Sequence, residues 1–114
     1  MKYLLSLYHD ETRVAERSPE ELREGMRQWD AYTTEVKDAG AFLGGEGLEP
    51  TALATTVQIQ PSGDQIVTDG PFAETKELIA GFWLWQVGSL EEAIEWVKRC
   101  PNPHDEETEI EIRQ

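Results

Sequence analysis

The side chains best able to move a proton or hold a charged ligand gather in one run, T-D-G-P-F-A-E-T-K-E, which carries Asp69, Glu74, Lys76 and Glu77. A lysine set between carboxylates can bind an anionic substrate while one carboxylate works as acid or base. These four residues are the expected catalytic set. Each also has a plainer reading. Asp69 can accept main-chain bonds as an Asx-type cap of its own turn, and the other three can form solvated ion pairs worth roughly 0 to 1 kcal/mol.

Two histidines offer a second place for chemistry. If the sheet is a split βαβ, the loop after its first strand and the loop before its last lie at one end. His9-Asp10 and His104-Asp105 are then either neighbours at that end or solvated loop residues. No HxH or HExxH spacing accompanies them, so no metal is expected, and no cofactor motif is present. Cys100 follows the end of a helix, where the dipole disfavours a thiolate, and reads as inert packing. Trp29, Trp83, Trp85 and Trp96 can stack on an aromatic ligand or fill a core and interface.

The elements that position these groups are legible in the spacing. In Asp69-Gly70-Pro71-Phe72, proline fixes φ and glycine opens otherwise closed angles, so the turn should be stiff. It leads to the most apolar run, 79–87, where Phe82, Leu84 and Gln86 alternate with Trp83, Trp85 and Val87. That pattern marks a central strand with large groups on both faces.

Earlier in the chain, residues 2–8 alternate as a strand, and the polar residues from His9 onward are expected to form a loop. Ser18-Pro19-Glu20-Glu21 combines an N-cap serine, an N1 proline and an N3 glutamate, so a helix spans 19–39. Leu22, Met26, Trp29, Thr33 and Val36 form its expected inward stripe, and Gly40 ends it. Residues 41–46 read as a short strand. Gly44, Gly45 and Gly47 bend it or admit a neighbouring backbone, because no Lys-Ser/Thr pair or helix start follows to make a phosphate loop. A hairpin joins 55–60 to 65–68. A second capped helix begins at Ser89 with Leu90, Ala93, Ile94 and Val97 inward, and 108–113 alternate as the closing strand.

The order strand, helix, strand, hairpin, strand, helix, strand predicts an α+β fold. It is a ferredoxin-like split βαβ with an inserted hairpin, in one domain over 1–114. Both helices should cover one face of the sheet. The other face should expose some of Trp83, Trp85, Val57 and Tyr3 or Leu4, and a two-fold homodimer packed sheet to sheet is the simplest cover.

Composition narrows the partners. The chain has 23 acidic and 10 basic side chains and a formal charge of -13, which repels phosphate backbones and anionic membranes. No direct nucleic-acid or membrane contact is expected. One cysteine and no long apolar run predict a cytoplasmic protein without a disulfide framework.

The run V-T-D-G-P-F-A-E-T-K-E, followed by G-F-W-L-W-Q-V, resembles the DGPF group of the YCII-related proteins, within the dimeric α/β-barrel superfamily. The likeness extends through K-Y-L-L-S-L-Y, A-G-A-F-L-G-G-E-G-L-E-P, A-T-T-V and E-I-E-I-R. It implies a ferredoxin-like homodimer with a cleft between the sheets and the inserted elements. Superfamily relatives include isomerases, monooxygenases and dehydrochlorinating enzymes, and the group is linked with extracytoplasmic-function sigma factors. Better-studied relatives are associated with a histidine and aspartate pair whose histidine lies in the first helix, whereas 19–39 here contain no histidine.

Two functions remain open. One is a lyase- or isomerase-like small-molecule enzyme using Asp69 or a neighbouring glutamate as base and Lys76 as electrostatic partner. The other is a non-catalytic dimer that binds a metabolite or a sigma-factor-linked protein.

Overall fold

The computed structural model describes residues 1–72, 77–104 and 106–114, and of Glu77 the main chain alone. In chain order the elements are β1 (Lys2–Asp10), α1 (Glu11–Ala15), α2 (Pro19–Asp38), β2 (Phe42–Gly47) and a 3-10 turn (Thr51–Leu53). They continue with β3 (Thr55–Ile59), β4 (Gln65–Asp69), β5 (Glu77–Gln86), α3 (Leu90–Lys98) and β6 (Glu109–Arg113). The main sheet is four-stranded in the order β2-β5-β1-β6, and β3 and β4 form a separate two-stranded ribbon. Every pairing is antiparallel. This mixed α+β arrangement is compatible with the ferredoxin-like fold.

The helix starts follow from local chemistry. Ser18 accepts from the Glu21 N–H while the Glu21 carboxylate accepts from the Ser18 N–H, which completes the capping box before α2. Ser89 caps α3 by accepting from the Glu92 N–H. The expected loop after residue 8 is different. β1 runs on to Asp10, and the Asp10 side chain accepts from the Thr12 N–H, which caps the extra turn α1.

The core lies on one face of the sheet. Tyr3 and Leu5 of β1, Trp83 and Trp85 of β5, Tyr32 and Val36 of α2 and Ala93 of α3 are buried together. Trp83 stacks on Trp85 with centroids 5.3 Å apart, and the Tyr32 ring lies 5.7 Å from that of Trp83. Burying one such indole contributes about 4 to 6 kcal/mol by area. The Tyr32 hydroxyl donates to the Trp96 carbonyl and so ties α2 to α3.

Two expectations about facing are corrected here. Leu22 and Met26 are 44% and 66% exposed, and the buried line of α2 is Gly25, Tyr32 and Val36. The stripe is rotated because Gly25 meets the loop that follows α3, a contact that apolar spacing cannot register. On the sheet, Tyr3, Trp83 and Trp85 turn toward the helices rather than away. The uncovered face carries Leu4 opposite Leu84 and Ser6 opposite Phe82. Strand alternation separates the two sets, and helix packing selects which set is covered.

Close approach explains one glycine and backbone conformation another. A Cβ on Gly45 would stand 2.6 Å from the Phe82 carbonyl oxygen and 2.7 Å from Trp83 Cδ1. Gly70 has φ +119, in the region that favours glycine. Its N–H donates to the Ala54 carbonyl at 2.7 Å, and its carbonyl accepts from the Thr56 hydroxyl at 2.8 Å, so the turn is pinned to the base of the ribbon.

Replacing the core ring by Trp85→Ala should lower the free energy of unfolding in urea by about 3 to 5 kcal/mol. Tyr32→Phe, which removes one of the two donors to the Trp96 carbonyl and leaves the Arg99 N–H in place, should cost about 0.5 to 1.5 kcal/mol in the same measurement.

Candidate functional site

A cleft of about 760 Å³ opens between α2 and the end of the sheet where β1 finishes and β5 and β6 begin. That volume falls within the range of small-molecule sites, about 300 to 1,000 Å³. Leu22, Met26 and Trp29 of α2 and Trp83 of β5 form its apolar wall. Its polar lining holds His9, Asp10 and Arg17 together with His104 and Glu106.

A β-bulge brings the end of β1 to this cleft. Leu7 pairs with Gly81 but Tyr8 pairs with Ile79, so Ala80 is the extra residue. The Ala80 carbonyl accepts from the Leu48 N–H at 2.8 Å. Bulges re-aim the side chains beyond them, and Tyr8, His9 and Asp10 all line the cleft.

The Asp10 carboxylate accepts from the Thr12 N–H at 3.0 Å and from the Thr12 hydroxyl at 2.6 Å, with Arg13 Nε at 4.0 Å. Glu11 turns away from the cleft to accept from both the N–H and the hydroxyl of Thr51, each at 2.9 Å. That contact fastens α1 to the 3-10 turn before the ribbon.

Burial disfavours the charged form of His9 and is the largest influence on it. Glu11 and Asp10 oppose this and the Arg17 guanidinium assists it, and the net result is a pKa below the ordinary 6.5. His9 therefore presents a neutral imidazole at neutral pH, able to accept a proton.

The loop between α3 and β6 supplies further lining. Pro101 and Pro103 restrict its backbone, the Asn102 amide donates to the Glu106 carbonyl at 2.8 Å, and the Asn102 oxygen accepts from the Glu106 N–H at 3.2 Å. Arg17 Nη2 donates to Glu106 Oε2 at 2.7 Å, joining segments 89 positions apart. Both side chains are mostly buried, and Arg17 Nε has no hydrogen-bond partner among the described residues.

The sequence-predicted residues divide among several places. His9 and His104 both line the cleft, as their shared end of the sheet implied. Asp69 is exposed at the end of β4, paired opposite Thr55, and is not among the residues lining the cleft. Glu74, Lys76 and Asp105 lie outside the described residues. The Glu77 main chain pairs opposite Asp10, so the strand that follows the acidic turn enters the sheet at the rim of the cleft.

Cys100 packs against the core. Burial pushes its thiol up to about 11 against a weaker opposing hydrogen bond from Tyr32, which fits an inert role. Among the described residues no group of three or more His, Cys, Asp or Glu side chains is placed to hold a metal ion. No helix among them is long and apolar enough to cross a membrane.

Arg17, Gly25 and Glu106 are site residues that the spacing did not single out. Arg17 carries one local signal, a cation directly before an N-cap where the dipole offers it no advantage. Glu106 sits in an acidic run with nothing to mark it.

The lowered pKa of His9 gives a signed prediction. In the window from 6.5 down through the folded-state pKa, the unfolded chain binds more protons at this site than the native one, so stability falls as pH falls. His9→Gln should remove that component of the slope, read as the difference between wild-type and variant urea midpoints across the window.

The chain is similar to known proteins along nearly its whole length. The model of the YCII-related domain matches residues 1–114. An uncharacterized protein of Rhizobium meliloti (strain 1021) is 35% identical over 113 residues, spanning 99% of this chain and 90% of that protein. With the match covering the whole fold, the chain belongs to the YCII-related family.

Proposed function

We propose that this protein is a homodimeric small-molecule enzyme of the DGPF group, with lyase- or isomerase-like acid/base chemistry in the cleft beside α2. One observation carries the reading. The two imidazoles, from the end of β1 and from the loop before β6, line a single cleft with an indole and aliphatic wall. His9 is neutral and can accept a proton, and His104 lines the same cleft. A ligand with an aromatic or aliphatic body against Trp29 and Leu22 and a polar reacting end fits these walls.

In this reading proton transfer passes from Asp69 to the imidazoles. Glu74, Lys76 and Glu77 remain charged partners for an anionic ligand, and the Glu77 main chain enters the sheet opposite Asp10. A thermal-shift screen of small aromatic and carboxylated metabolites is the test. His104→Asn and His9→Asn should each weaken binding of a hit about tenfold or more, the loss of one charge-assisted hydrogen bond, while Asp69→Asn should change it less. Equal affinity in both histidine variants would remove the imidazoles from the site.

Pairing rests on apolar surface. Leu4 and Leu43 are exposed near the uncovered face, and the ribbon carries Val57, Ile59 and Val67 at 51%, 71% and 65% exposure. The radius of gyration is 16.3 Å, whereas a compact chain of this length has about 13 Å. A two-stranded ribbon that stands apart is marginal in water by itself. A second copy covering the sheet and ribbon answers both features. Sedimentation at micromolar concentration should give dimers, and single chains there would remove the pairing.

The same ribbon favours a second reading, a regulatory dimer that binds a sigma-factor-linked protein. Phe72, 82% exposed beside the pinned turn, supplies an aromatic anchor for such a partner. Binding of a purified extracytoplasmic-function sigma factor that is lost in Phe72→Ala would select it.

A further inference from the structure

α2 places a glycine in its interior, where helix propensity disfavours it, and Gly25 is buried. The reason lies in the loop before β6. A Cβ at position 25 would stand 3.2 Å from His104 Nε2 and 3.6 Å from Pro103 Cγ, so the absent side chain leaves a notch that the imidazole and the proline ring fill. Nothing at this point of α2 hydrogen-bonds the ring into place; the seat is steric.

Two further contacts keep the loop over the notch. The Asn102 side chain clasps both main-chain groups of Glu106, which closes the loop into a compact hook around His104. The Glu106 carboxylate is then held by Arg17 at 2.7 Å, with the two side chains 18% and 22% exposed. Removing one member of a pair this buried leaves the other charge uncompensated, so the hook has little freedom to sit elsewhere while the bridge stands.

The geometry points to Gly25, Arg17 and Glu106 as positioning residues for His104: the notch in α2 sets where the imidazole stands in the cleft, and the Arg17–Glu106 bridge holds the loop in that seat. This rests on the reading of the cleft as a small-molecule site, since it specifies how one wall of that site is set. It also makes the sign of a substitution depend on how far His104 can give. Glycine to alanine inside a helix normally stabilises, but here the new methyl group must push His104 by a few tenths of an ångström.

The test needs no ligand. Imidazole resonances of His104 and His9 are recorded for the wild type, Gly25→Ala, Gly25→Val and Glu106→Gln, together with circular dichroism. Gly25→Ala should shift the His104 resonances with helix content unchanged and His9 nearly still, and Gly25→Val should shift them further. Glu106→Gln should move the His104 resonances toward those of a solvated histidine and raise its rate of modification by diethyl pyrocarbonate several-fold. Wild-type His104 resonances in folded Gly25→Ala, or wild-type resonances and reactivity in Glu106→Gln, would overturn the assignment. Because these signals come from the free protein, such a failure leaves the small-molecule reading standing, and a failed ligand screen leaves the seat measurable.

Discussion

The structure depends on a slab of aromatic rings between one sheet and two helices. Trp83 and Trp85 stack along β5, Trp29 and Tyr32 of α2 lean on Trp83, and the Tyr32 hydroxyl closes the gap to α3 through the Trp96 carbonyl. Rings of this size release several kcal/mol each on burial, so they decide which face of the sheet the helices cover. One indole group, Trp85 Nε1, is buried without a hydrogen-bond partner among the described residues. An orphaned donor costs about 1 to 3 kcal/mol, and the area buried around that ring offsets it.

Once the helices are fixed on that face, the place of the cleft follows. α2 is held against the sheet through Tyr32 and Val36, toward its C-terminal half. Toward its N-terminal half, Leu22 and Met26 stand away from the strands and the cleft opens beneath them. The bulge at Ala80 turns the end of β1 into the opening, and the proline-bounded loop before β6 lines it as well. Apolar residues that a helix stripe would assign to the core are therefore the wall of a cleft. The two uses need the same residue types, so the difference lies in what stands opposite them.

The uncovered face and the ribbon create a tension with net charge. A chain carrying -13 resists association with its own copy, while Leu4, Phe82 and Leu84 offer an apolar strip down the middle of the sheet. The charges of β6 lie to one side of that strip, where Glu111 and Arg113 pair with each other. The sheet thus carries apolar surface at its centre and charge at one edge, the distribution common at interfaces.

Read alone, the residues determined the α+β class, the position of both long helices, the hairpin and the run of the central strand. These follow from the capping box at Ser18, the N-cap at Ser89 and strict alternation, signals that are local and strong. The extra turn α1 was missed because the cap at Asp10 competes with an ordinary polar loop, and periodicity does not separate the two. Which strand face is buried, the rotation of α2 toward Gly25, and the meeting of Arg17 with Glu106 were decided in three dimensions. The physical reason is the same for each: a contact between segments 89 positions apart has no local spacing to record it, and a glycine that makes room for a ring leaves no apolar mark in the chain.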